Sequence, residues 1–127
     1  MLFRSGKTVL LVDDDARNIF ALSSIFERRG MNVLTATTGG EAIAILHATP
    51  GVAIVLMDIM MPGMDGYETM GAIRKNPALR RLPILALTAK AMKGDRENCL
   101  EAGASDYLAK PVNTEQLLAA LRMWLHH

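Results

Sequence analysis

Five short β-rich runs alternate with five amphipathic stretches along this chain, and no linker, repeat or low-complexity tract interrupts them. The runs are Thr8–Val12, Asn32–Ala36, Ala53–Met57, Pro83–Leu87 and Asp106–Ala109. The stretches between and after them carry apolar residues at helical spacing. Ala16 to Arg29 places Ile19, Leu22 and Phe26 on one face, and Arg28-Arg29-Gly30 reads as its stop. Thr38-Gly-Gly-Glu41 fits a capping box opening a helix to about His47. Gly66 to Lys75, closed by Asn76-Pro77, is a third helix, and Asp95 to Ala102, stopped by Gly103, a fourth. The fifth opens at Asn113 and presents Leu117, Leu118, Leu121, Trp124 and Leu125.

Strict alternation with connections this short demands a parallel sheet, because a strand returning parallel to its predecessor needs a helical crossover. Helices then cover both faces, giving a doubly wound α/β sandwich. Strands one, three, four and five end in polar residues: Asp13-Asp14-Asp15, Asp58, Thr88 and Lys110-Pro111. Strand two has no such ending. A strand order of 2-1-3-4-5 puts strand two at an edge and gathers the other four ends into one crevice. In this arrangement ligands bind outside the carboxyl ends of the strands.

With 127 residues the chain is expected to form one domain, residues 1–127, with its core over about 8–125. Lys and Arg number 14 against 13 Asp and Glu, so no basic field exists to drive direct nucleic-acid binding. The single cysteine, Cys99, forbids an intrachain disulfide and reads as a small packing residue. No apolar run reaches the roughly 18 residues that a membrane span requires. The start of the chain lacks the apolar core of a signal peptide. A cytoplasmic domain without membrane insertion is expected.

The predicted crevice collects Asp13, Asp14, Asp58, Thr88 and Lys110. Carboxylates packed together repel, by on the order of 4 kcal/mol for a pair ~4 Å apart at an effective dielectric near 20. A hard divalent cation relieves that repulsion, and Mg²⁺ in particular (or Mn²⁺) suits carboxylate oxygens supplemented by water. Lys110 adds a point charge and Thr88 a hydroxyl, both able to stabilise phosphoryl oxygens in flight. Asp58 is then free to act as a nucleophile and form an acyl phosphate. Taken singly, each piece has a plainer reading: Asp-Asp-Asp caps a helix, a strand-ending Thr is a surface residue, and Lys-Pro says little. Their convergence at one sheet edge is what points to a metal-assisted phosphate site.

Val12-Asp13-Asp14-Asp15, Leu56-Met57-Asp58-Ile59-Met60-Met61-Pro62-Gly63-Met64-Asp65-Gly66, Leu87-Thr88-Ala89 and Gly103 to Pro111 resemble the response-regulator receiver family. The resemblance runs from about Thr8 to Leu125, and the bacterial chemotaxis receiver has the 2-1-3-4-5 order. It implies a phosphoacceptor at Asp58, a direct Mg²⁺ ligand at Asp14, Asp13 acting mostly through water, and the Met60 backbone carbonyl as a further ligand. It also implies a switch in which Thr88 shifts toward the phosphoryl group and Tyr107 changes rotamer. Lys110 would pair with phosphoryl oxygens, and Lys110-Pro111 would be cis. Met60 and Lys90 occupy the two positions that tune how long the phosphoryl group lasts.

Leu87 to Tyr107 resembles the receivers of hybrid sensor histidine kinases, so of the two readings, a stand-alone receiver or a piece of a larger kinase whose parent chain can be membrane-anchored, the second is favoured. The donor would be a phosphohistidine on a histidine kinase or histidine phosphotransfer protein, and the domain itself a monomer or weak homodimer. Such a receiver is no conventional enzyme; it promotes its own aspartyl phosphorylation and dephosphorylation. The alternative is a receiver-fold interaction module not controlled by phosphorylation, against which the intact acidic set argues. An aspartyl-phosphate phosphohydrolase would want a second acid where Met60 stands. A flavin site would want a Gly/Ser/Thr-rich first loop, not an acidic one. His47, near a helix end, reads as a solvated residue.

Overall fold

The computed structural model describes residues 6–61, 63–89 and 94–125. The strands are β1 (Thr8–Val12), β2 (Asn32–Ala36), β3 (Val52–Asp58), β4 (Ile84–Thr88) and β5 (Asp106–Ala109). The helices are α1 (Ala16–Glu27), α2 (Gly39–Ala48), α3 (Gly66–Arg74), α4 (Asp95–Ala102) and α5 (Thr114–Leu125). All pairings are parallel and the sheet order is β2-β1-β3-β4-β5, as the polar strand endings predicted.

The period of two along each strand divides the core. Leu10, Val12, Val55, Met57, Ile84 and Ala86 face one layer, which α2, α3 and α4 close with Leu46, Met70, Ile73 and the fully buried Cys99. Val9, Leu11, Ile54, Leu56, Leu85 and Leu87 face the other, closed by Leu22 and Phe26 of α1 and by Leu117 and Leu121 of α5. The three central strands are buried on both faces, which is why they read as unbroken apolar runs.

Helix ends follow side-chain chemistry. Asp15 caps α1 by accepting the Arg17 N–H at 2.9 Å. Thr38 caps α2 through the Glu41 N–H at 3.1 Å, but the Glu41 carboxylate reaches back to the Thr37 N–H, one residue before the cap. Asp65 and Glu68 form the full reciprocal capping box, on α3. Asn113 Oδ1 accepts the Gln116 N–H at 3.1 Å at the start of α5. Helix α1 ends at Glu27, not Arg29. Gly30, with φ of 79°, turns the chain so that its N–H meets the Glu27 carbonyl and the Met31 N–H meets the Phe26 carbonyl. Arg28 and Arg29 therefore belong to that closing turn rather than to the helix. A 3₁₀ turn at Pro77–Leu79, capped by Asn76, follows α3 where the sequence suggested only a stop. The Lys110-Pro111 peptide is cis, as the resemblance implied.

Candidate functional site

The ladder carries each candidate side chain to the same edge. Asp13 follows β1 and its N–H is bonded to the Ala36 carbonyl at 3.0 Å. Asp58 is the last residue of β3, level with Leu87 of β4. Thr88 ends β4, and its carbonyl accepts the Lys110 N–H at 2.7 Å, which places Lys110 just beyond β5. Parallel strands in this order thus fix four chain segments around one crevice.

Asp13 and Asp58 are buried at 2% and 3% exposure, whereas Asp14 is exposed at the mouth. Carboxylate oxygens of the three lie within 4.8 Å of one another. Lys110 Nζ sits between the two buried acids, 3.2 Å from Asp13 Oδ2 and 3.1 Å from Asp58 Oδ1. Asp13 also accepts the Asp15 N–H at 2.9 Å and the Asn18 amide at 3.3 Å. Asp58 Oδ1 accepts the Met60 N–H at 3.3 Å. Burial pushes the Asp58 carboxyl up to about 6; Lys110 opposes this and Asp13 adds to it. Burial lowers the Lys110 ammonium, but Asp58 and Asp13 outweigh it and hold the ammonium above its ordinary range.

Three carboxylates against one ammonium leave a formal charge of minus two at neutral pH. A hard, oxygen-ligated divalent cation matches that residual charge, and the mixed burial would give it two anchored donors inside and one at the mouth. Thr88 is buried at the same strand end, with 6% exposure. Tyr107 lies level with Ala86, packed against the layer that α3 and α4 close, so it stands behind the crevice rather than in it. His47 is exposed near the end of α2, away from these groups.

The response regulator receiver domain model matches residues 9–122. The chain belongs to that family. It is 38% identical over 119 residues to the sensor histidine kinase GacS of Pseudomonas protegens, covering 91% of this chain and 13% of that protein. It is 39% identical to the transcriptional regulatory protein CpxR of Klebsiella pneumoniae, over 90% of this chain and 47% of that one. This receiver therefore spans an eighth to a half of the curated relatives named. Its fold superimposes with a TM-score of 0.88 and 37% identity on the receiver domain of the Pseudomonas aeruginosa sensor histidine kinase PA1611, covering 97% of this chain and 100% of that one. In that structure a magnesium ion is coordinated in the active site cleft.

Two receiver residues at the site escaped the sequence reading. Asn18, on the first turn of α1, clamps Asp13; the closeness of the helix start to Asp13 was the available signal. Gly66 packs so tightly that a Cβ there would fall 2.5 Å from the Asp58 carbonyl oxygen and 2.7 Å from Ile59 Cα. Gly66 follows Asp58 by only eight residues, in the segment that joins β3 to α3, but spacing alone does not report how closely the two backbones approach. Lys90, the second residue expected to tune phosphoryl lifetime, lies outside the described residues.

Proposed function

We propose that this receiver accepts a phosphoryl group on Asp58 from a phosphohistidine of a histidine kinase or histidine phosphotransfer protein. The observation that carries the reading is the Lys110 ammonium bridging Asp58 and Asp13 beside a three-carboxylate cluster. A carboxylate oxygen of Asp58 attacks phosphorus as the bond to the donor imidazole nitrogen breaks, and that nitrogen leaves as neutral imidazole once protonated. Lys110 neutralises the charge on the phosphoryl oxygens, and Thr88 supplies a hydroxyl at the neighbouring strand end. Asp13, Asp14, Asp58 and the Met60 backbone carbonyl would hold Mg²⁺ or Mn²⁺, which supplies further charge neutralisation when bound. The switch then runs from Thr88 to Tyr107 across β4 and β5. Chain 1–127 is one receiver unit, and the similarity to sensor kinases supports a parent of that kind.

The test is intact-mass measurement after incubation with Mg²⁺ and acetyl phosphate. One phosphate should be added to the wild-type chain and none to Asp58→Asn. An adduct that persists in Asp58→Asn, or never forms on the wild type, overturns the assignment.

A further inference from the structure

One exposed side chain close in sequence to the phosphoacceptor is chemically unusual for so polar a setting. Met60 follows Asp58 by two residues, donates its N–H to the Asp58 carboxylate at 3.3 Å, and is nevertheless 72% exposed. Among the described methionines it is the most exposed; Met123 and Met64 follow at 49% and 40%, while Met31, Met57, Met61 and Met70 lie between 0% and 6%. A solvent-bathed thioether is a ready oxygen acceptor, whereas a buried one is shielded from the oxidant.

We infer that Met60 is an oxidation site whose sulfoxide shortens the life of the phosphoryl group on Asp58. A hydroperoxide transfers one oxygen to the Met60 sulfur: the O–O bond breaks, an S–O bond forms, and water leaves when hydrogen peroxide is the oxidant. Sulfur is oxidised by two electrons and the peroxide is reduced by two. The product changes what this residue can do. A thioether is only a weak hydrogen-bond acceptor, but a sulfoxide oxygen is a strong one. That bond holds the Met60 backbone at the acceptor carboxylate and leaves its flexible side chain in solvent beside the crevice. There the sulfoxide oxygen can hold a water molecule against phosphorus. Hydrolysis forms the water-oxygen-to-phosphorus bond as the bond to the Asp58 oxygen breaks, and the water protons end on the released phosphate and in solvent.

This consequence rests on Asp58 being the phosphoacceptor, so the experiment separates the two claims. Untreated protein is first phosphorylated with acetyl phosphate and Mg²⁺, and the lifetime of the adduct is followed by mass after the donor is removed. No adduct at this stage sinks the phosphoacceptor reading and the lifetime claim with it. Wild type and Met60→Leu are then exposed to hydrogen peroxide, mapped by peptide mass and phosphorylated again. Oxidised wild type should lose its phosphate about fivefold faster, the factor that one added hydrogen bond of ~1 kcal/mol carries. Met60 should be oxidised before Met57, Met61 and Met70, and peroxide should leave the lifetime of Met60→Leu where it began. A normal lifetime after oxidation, equal shortening in Met60→Leu, or oxidation of Met60 no faster than of the buried methionines overturns the inference.

Discussion

Asp58 is held where its own charge is unwelcome. Burial raises its carboxyl from 3.8 to about 6, and the Lys110 ammonium offsets only part of that cost while Asp13 adds to it. A carboxyl with a folded-state value above its unfolded one favours folding when protonated, below about 4, and costs stability as pH rises through about 6. A rise from 3.8 to about 6 corresponds to at most ~3 kcal/mol. With metal chelated, Asp58→Asn should therefore be more stable than wild type at pH 8, and the advantage should shrink toward pH 4. Urea unfolding across that range in EDTA measures it. A wild type that is the more stable partner at pH 8 without metal would show that Lys110 overcompensates the burial.

Helix α3 shows how an element sets the geometry around Asp58. Two of its glycines differ sharply: a Cβ on Gly66 meets Asp58 and Ile59 backbone, while one on Gly71 meets nothing within 4 Å. The Gly66 N–H also bonds the Ile59 carbonyl at 3.0 Å, tying the helix start to the strand end that bears Asp58. Gly66→Ala should cost about 1–3 kcal/mol and slow phosphorylation, because backbone must shift. Gly71→Ala should stabilise by roughly 0.5–1 kcal/mol through helix propensity alone. Denaturation midpoints and adduct yields of the two variants decide it; equal behaviour would mean the Gly66 contact does not constrain the loop. The same helix marks the limit of what the sequence discloses. Its start near Gly66 and the polar strand ends are legible because apolar spacing and the end of an apolar run are local signals, whereas its Asp65–Glu68 capping box emerges only from the structure. At the 3₁₀ turn after Asn76 the sequence signals only a stop, since Pro77 suits either outcome. The Gly66 contact is not legible, because the short spacing from Asp58 does not say how closely the two backbones approach.

At the scale of the molecule, the crevice joins the first, third, fourth and fifth strands at one edge, so whatever binds there bears on the whole fold. A cation held by Asp13 and Asp14 after β1 and by Asp58 on β3 bridges segments more than forty residues apart in sequence. Binding to the folded state alone stabilises it, by about 2.7 kcal/mol at a hundredfold excess over Kd. Mg²⁺ should therefore raise the urea midpoint of the wild type, and NaCl at matched ionic strength should not, because the net charge of +1 offers little general screening benefit. Asp14 separates binding from folding. Its side chain is exposed, so Asp14→Asn in EDTA should unfold within about 0.5 kcal/mol of wild type. The same substitution should remove most of the Mg²⁺-dependent gain, because it deletes the donor at the crevice mouth. Retention of the full gain in Asp14→Asn would exclude that carboxylate from the metal site and leave the two buried acids, already paired with Lys110, as its protein donors.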